Sequence, residues 1–392
     1  MNTSEKTFAV KPEDSSVRVL VDQRDVPLDG SDTTNEEAGA VSSPFDTSQI
    51  RIEPKNGMLA QLIRRMENEE IDLDPEFQRR GGIWSDQAQS RLIESLMLRI
   101  PIPAFYFDAS NPNKWLVVDG LQRLTAIRRF VIDRELKLSG LQFLADKYNG
   151  ASFDALPRPM QRAIEEADIV MYQIMPGTPS SVKFTVFQRI NTGGLPLSSQ
   201  EIRHALNQGP VTRKLAELAN SEEFKMATSG GVSPKRMDDR ECVARFIVFS
   251  MFSPESYDKD DFDAFLNAGM AEANKQPECL EEIGKNFLRV MRAVPAIFDN
   301  DAFRKRFYAG ETRFPVNKAL FEAWSVNLGK LSNEELEILR ERRELVREKF
   351  MELMRTDRSF EAAITQGTGS IARVKHRFGA IEHLIKEVLH AH

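Results

Sequence analysis

KWLVVDGLQRLTAIRRF, residues 114–130, reads as a strand that turns into a helix. Trp115-Leu116-Val117-Val118 is a short apolar run of strand type, and Asp119-Gly120 breaks it. Leu124, Ile127, Phe130 and Val131 then recur at helical spacing, so a helix is expected from Gly120 to about Asp133. Asp119, Gln122 and Arg123 fall at the junction. Such a junction suits an anion: glycine lets a ligand approach the backbone, and the first helical N–H groups have no partner within the helix. Arg123 can donate to phosphate bidentately, and Asp119 can hold a metal or orient a water. The same residues also make an ordinary tight turn with a capping Asp and a solvated Arg, and this stretch alone leaves both readings open.

Two further blocks bear on the choice. Asp74-Pro75-Glu76-Phe77-Gln78-Arg79 is followed by Trp84 and a helix. Phe187-Gln188-Arg189-Ile190-Asn191-Thr192-Gly193-Gly194 is followed by Leu197-Ser198-Ser199-Gln200-Glu201-Ile202-Arg203. In this order the three blocks resemble the N-terminal domain of GmrSD-type modification-dependent restriction endonucleases, a family of the ParB/sulfiredoxin-like superfamily. Its pattern runs P-x-F-Q-R…W, then V-D-G-Q-Q-R-L-T-A, then F-x-R-x-N-T-x-G-x-x-L-S-x-x-E-I-R. Leu121 departs from it where a Gln is usual, while Asp119, Gly120, Gln122 and Arg123 conform. Arg313-Phe314-Pro315-Val316-Asn317-Lys318-Ala319-Leu320-Phe321-Glu322 and Gly367-Thr368-Gly369-Ser370 leading to Arg377-Phe378 also look familial, so the resemblance spans about residues 50–390. It implies nucleotide binding at the D-G-x-Q-R turn, hydrolysis in some members, and a His-Asn-His nuclease domain that follows in the same chain or comes from a partner subunit.

The composition is that of an ordinary protein with a sizeable core: 392 residues, 41% hydrophobic and 29% charged, enough for two or more domains. A net charge of −6 excludes a global basic field for DNA but not a local patch. Cys242 and Cys279 have no metal-type spacing and fit free thiols in a reducing cytosol. Neither a membrane-spanning run nor a signal pattern is visible, so a cytoplasmic protein with no membrane partner is expected.

Residues 1–48 are rich in Ser, Thr, Asp, Glu and Gly and poor in large apolar residues, the composition of a disordered tail. Residues 49–209 mix strands and helices and form the expected ParB/sulfiredoxin-like domain. Helices are predicted over 58–69 and 86–99, the second capped by Ser85; 104–107 and 114–118 form an antiparallel pair, and 168–175 is a further strand. Val182–Ile190 reads as a helix, and Ser198 with Glu201 as the capping box of the next. Residues 210–392 are helical in pattern, with helices over 236–252, 260–274, 278–298, 317–328, 333–355 and 371–389. The predicted fold class is therefore α+β, a mixed domain followed by a mostly helical one.

A bound nucleoside triphosphate needs several phosphate donors, usually a divalent cation such as Mg²⁺, and a means of placing water. Arg79 and Arg123 suit phosphate; Gln78 and Gln122 suit phosphate or nucleoside; Gly120, Asn191, Thr192, Gly193 and Gly194 offer small groups and backbone N–H donors. Asp119 is the candidate metal or water contact, and Asp119, Gln122 and Arg123 form the candidate catalytic set. Each has a bland alternative: Gln78 and Arg79 bonding turn backbone, Gly193-Gly194 ending a helix, Glu201 completing a capping box, Arg203 in an inter-domain ion pair, and Trp84 packed in a core. A P-loop is absent, as is a His-Asn-His pattern among the five histidines. His383 and His390, one heptad apart, are too few for a metal site without help. The basic clusters Arg304–Arg306, Arg340–Arg343 and Arg373–Arg377 can each follow a phosphate backbone; the second is dense in Glu and reads better as a solvated face, whereas Arg373, Lys375 and Arg377 are the candidate DNA contacts. The resulting expectation is a nucleotide-binding, NTP-hydrolysing regulatory subunit of a DNA restriction or phage-defence system, with cleavage by a partner nuclease and self-association open. The alternatives are a DNA-binding adaptor without hydrolysis and a self-contained nuclease.

Overall fold

The computed structural model describes residues 50–73, 84–190 and 197–391. Its first part contains β1 (Ile52–Met58), α1 (Leu59–Glu67), β2 (Ile71–Asp72), α2 (Asp86–Met97), β3 (Phe105–Asp108), β4 (Trp115–Asp119), α3 (Leu121–Ile127), α4 (Ala145–Tyr148), α5 (Arg158–Glu165), β5 (Asp168–Ile174), α6 (Ser180–Ile190) and α7 (Ser199–Leu206). The rest is helical: α8 (Pro210–Asn220), α9 (Glu222–Ala227), α10 (Asp238–Met251), α11 (Phe262–Lys275), α12 (Pro277–Phe298), α13 (Lys318–Gly329), α14 (Asn333–Glu341), α15 (Arg343–Thr356), α16 (Arg358–Thr365) and α17 (Ile371–His390). The chain is thus α+β, as its patterning implies.

The strands form one sheet in the order β1-β5-β3-β4-β2. β3 and β4 run antiparallel, with Phe107 opposite Val117 and Tyr106 opposite Asp119, while β3 runs parallel to β5 and β2 parallel to β4. β1 is an edge strand, which is why it tolerates Pro54. Alternation in β4 divides the core in two. Trp115 and Val117 face a cluster built by α1, α2, α3 and α5. Val118 faces a smaller cluster with Phe184 and Phe187 of α6 and Ile202 of α7. The sheet is therefore covered on both faces.

In the helical part, α13 is surrounded: every residue from Lys318 to Leu328 is buried. Its apolar residues join the largest core, and its polar ones require partners there. Two local departures from the sequence reading are seen. The helix expected over 333–355 breaks at Arg342, whose guanidinium turns away to donate to the carbonyls of Val388 (2.7 Å) and Leu389 (3.3 Å) at the end of α17. The helix after Gly120 loosens into a π-helical turn over Arg128–Ile132.

Candidate functional site

The D-G-x-Q-R turn sits where β4 leaves the sheet. Gly120 has φ +103, and a Cβ there would lie 2.5 Å from Cδ1 of Phe105, so both backbone and space demand glycine. α3 starts at once, with Leu124 N–H donating to Gly120 C=O at 2.9 Å. Asp119, half-buried at the strand end, accepts a hydrogen bond from Nη2 of Arg123 on its Oδ2 at 2.7 Å.

Arg123 turns inward. Its Nη2 also donates to Ala104 C=O at 3.1 Å, its Nη1 to Pro103 C=O, and its guanidinium lies 4.7 Å from the Phe105 ring centroid. The residue is only 8% exposed. Burial pulls its pKa down, which Asp119 partly offsets. Arg123 therefore braces the turn against the 103–105 segment, with its Nη groups turned to protein acceptors.

Gln122 looks outward and ties in the first block: its Oε1 accepts the Trp84 N–H at 3.2 Å, and the Trp84 carbonyl accepts from Gln89 at 2.7 Å. Trp84 is 37% exposed and not the core residue expected of it; its backbone is fixed while its ring stands at the surface beside the turn. Gln78 and Arg79 lie outside the described residues, as do Asn191, Thr192, Gly193 and Gly194. The flanking elements are described. α6, which leads to Asn191, packs on β4 and anchors to the sheet through Lys183, whose Nζ donates to Asp108 Oδ2 (2.8 Å) and Ser110 Oγ (2.6 Å). Sequence reading gave this pair no role, and only the 75-residue separation of its members concealed it.

Beyond that loop, Ser198 and Glu201 form the expected capping box, and Glu201 also pairs with Arg236 at 3.1 Å. Burial raises the Glu201 pKa, against the hydrogen bonds of Ser198 and the charge of Arg236. Arg203 is 1% exposed; it bonds Gln200 (2.9 Å) and Asp263 of α11, and approaches Glu241 of α10 at 3.8 Å. Glu241 in turn bonds Arg245 (2.6 Å) and Lys318 (2.7 Å), and Arg245 bonds Glu322 (3.0 Å), which holds Arg377. Burial opposes the charge of Glu241, yet Lys318, Arg245 and Arg203 hold its carboxyl well below the usual range. A chain of buried ion pairs thus runs from the E-I-R block through the middle of the helical part. It joins Arg377 to the segment around Lys318 and Glu322, which sequence analysis had marked without assigning a role.

This corrects one DNA-contact expectation. Arg377 is fully buried, with Nε 2.8 Å from Glu322 Oε1 and Nη1 2.5 Å from Thr368 C=O, and cannot reach a phosphate. Arg373 is half-buried with Nη1 donating to Gln366 C=O, and Lys375 is exposed. Of the remaining basic residues, Arg304 is committed to Phe314 C=O (2.7 Å) and Thr228 C=O (3.0 Å), and burial lowers its pKa to about 10.

Asp119 is a single carboxylate. Among the described residues no group of three His, Cys, Asp or Glu side chains is placed to hold a metal. That donor set suits Mg²⁺, which keeps most of its waters and is commonly held by one or two carboxylates plus substrate phosphates.

Fold and turn together define a mixed α/β unit with a bracing Asp–Arg pair behind a glycine turn, joined to a helical unit through buried charge. Residues 59–207 match the sequence model of the GmrSD restriction endonuclease, N-terminal domain, which identifies this segment as a member of the family that the three blocks resemble. Such a domain is of the kind found in restriction and phage-defence proteins. No curated protein and no solved structure matches the chain. Among the described residues no helix is long and apolar enough to cross a membrane.

Proposed function

We propose that this protein is a cytoplasmic nucleotide-binding subunit of a DNA restriction or phage-defence system, in which a ParB/sulfiredoxin-like mixed domain binds and hydrolyses a nucleoside triphosphate and a partner nuclease cuts the DNA. The observation that carries the reading is the junction of the first two blocks: Gln122, two residues past Gly120, bonds the backbone of Trp84, where the first block ends. Trp84, which follows the P-x-F-Q-R segment in sequence, thus lies beside the D-G-x-Q-R turn, and a shared phosphate site requires that segment to meet the turn there.

In this reading phosphate meets the first N–H groups of α3, and Gln78, Arg79 and the 191–194 loop supply the remaining donors. Arg123 is a positioning residue: it fixes Asp119 Oδ2 and leaves Oδ1 to order water at the turn. Magnesium, held by the triphosphate oxygens with Asp119, would neutralise phosphate charge. The buried ion-pair chain from Arg203 to Arg377 gives the helical part a rigid connection to the site, and the exposed Lys375 with Arg373 gives it a weak DNA contact.

Titration calorimetry of the full chain with ATP and GTP in Mg²⁺, together with phosphate release, tests the first half. Asp119→Asn should bind triphosphate comparably and hydrolyse it far more slowly. Absence of binding by any nucleoside triphosphate would favour the DNA-binding adaptor. Metal-dependent plasmid cleavage by the purified chain would overturn the partner-nuclease half.

A further inference from the structure

The face of the sheet that meets α6 and α7 carries an aromatic row that ends at the glycine turn. Pairing across four strands sets Pro54 of β1 opposite Tyr172 of β5, Tyr172 beside Tyr106 of β3, and Tyr106 opposite Asp119 of β4. Strict alternation along β4 would send Val118 and Asp119 to opposite faces. The register shift between Tyr106 and Phe107 prevents this: Phe107 pairs with Val117 and Tyr106 with Asp119, so Val118 is the extra residue of a bulge. Bulges re-aim side chains in this way. Val118 lies in the cluster with Phe184 and Phe187, Tyr106 packs against that cluster, and Asp119, directly opposite Tyr106, shares its face.

Three observations mark the row as a binding surface. First, the rings of Tyr106 and Tyr172 stack, with centroids 4.8 Å apart and planes 12° from parallel. That separation matches the ~4.7–4.9 Å between neighbouring strands, so the column follows the repeat of the sheet. Its next position, over β4, belongs to Asp119, whose side chain is too short to continue it. Second, both rings are only half-buried, and neither hydroxyl has a hydrogen-bond partner among the described residues, so no internal bond accounts for tyrosine at either position. Val170, two residues before Tyr172 on the same face, is 39% exposed, so this end of the sheet is accessible. Third, the row is continuous with the turn. Burial, then Tyr172 and Asp119, raise the Tyr106 pKa, which keeps a neutral ring beside the carboxylate.

We propose that Tyr106 and Tyr172 form the base platform of the nucleotide site: the base of a nucleoside triphosphate stacks on the side of Tyr106 turned to Asp119, as the third ring of the column, and its phosphates run on to the first N–H groups of α3. This platform, which rests on the triphosphate reading of the turn, accepts any base, because every base has a π-face.

The test is titration calorimetry on the full chain in Mg²⁺ with ATP, CTP and inorganic tripolyphosphate as probes. Both nucleotides should bind about tenfold or more tightly than tripolyphosphate. The ratio of ATP to tripolyphosphate affinity should fall about tenfold in Tyr106→Leu and stay within about threefold of wild type in Tyr106→Phe, which keeps the ring. Circular dichroism checks folding of both. In saturation-transfer NMR with ATP and the wild-type chain, the base protons should receive more saturation than the ribose protons. Equal affinity for tripolyphosphate and both nucleotides would overturn the platform and leave the turn as a phosphate site. Binding of none of the three would overturn both. A wild-type ratio in folded Tyr106→Leu, or ribose protons saturated more strongly than base protons, would also overturn the platform.

Discussion

Replacing Arg123 by Ala separates two roles that the sequence left open. In the structure its Nη groups meet the carbonyls of Pro103 and Ala104 and the carboxylate of Asp119, and its plane lies over Phe105. A hydrogen bond involving a charged group contributes ~1.5–3 kcal/mol, and breaking a buried pair costs ~3–5 kcal/mol. Asp119 is partly solvated, which places the expected loss near the lower end, about 3 kcal/mol. At ~2–4 °C per kcal/mol for a unit of this size, Tm should fall by ~6–12 °C. Urea unfolding followed by far-ultraviolet circular dichroism gives the stability. Calorimetry with ATP at low temperature, where the variant is still folded, gives the affinity, which should change by less than about threefold, under ~0.7 kcal/mol. Arg123→Lys retains charge but not the planar fork, so it should recover only part of the stability. A variant with wild-type Tm and an ATP affinity reduced tenfold or more would refute the bracing role and return Arg123 to direct phosphate contact.

Gly120→Ala should destabilise by ~2 kcal/mol or more, since it forces a side chain into positive φ and against Phe105; an unchanged urea midpoint would contradict the turn geometry. Glu322→Gln leaves Arg245 and Arg377 without their shared carboxylate in the core and should cost ~3–5 kcal/mol, whereas Glu322→Leu combined with Arg377→Met should recover part of that loss in thermal unfolding. Glu94 accepts the backbone N–H groups of Gln142, Phe143 and Leu144 at 2.7–3.1 Å; burial raises its pKa, but these bonds outweigh it and bring the value below 4.5. A lowered folded pKa stabilises above the unfolded value and loses that contribution as pH falls through the folded one, so the deficit of Glu94→Gln should be greatest near neutrality and shrink in acid. A deficit independent of pH would show that the charge is not what matters.

The α+β class, the antiparallel β3–β4 pair, the strand-to-helix junction at Gly120 and the helix starts at Ser85 and Ser198 were all legible in the sequence, because each depends on periodicity or capping over a few residues. The same local logic placed most helices of the second half and missed the break at Arg342, whose side chain bonds carbonyls 46 and 47 residues further on. The directions of charged side chains were decided by tertiary structure alone. Arg123 resembles a phosphate ligand in sequence and braces a turn in the fold, because the 103–104 carbonyls come within reach only when β3 pairs with β4. Arg377 lies in a basic run, yet it is buried because Glu322, 55 residues earlier, waits on the central helix. Arg203 finds Asp263 across 60 residues in the same way. A charged residue's sequence neighbours report its helix face, but whether it meets water, a ligand or a buried counter-ion depends on a distant segment that only folding brings alongside.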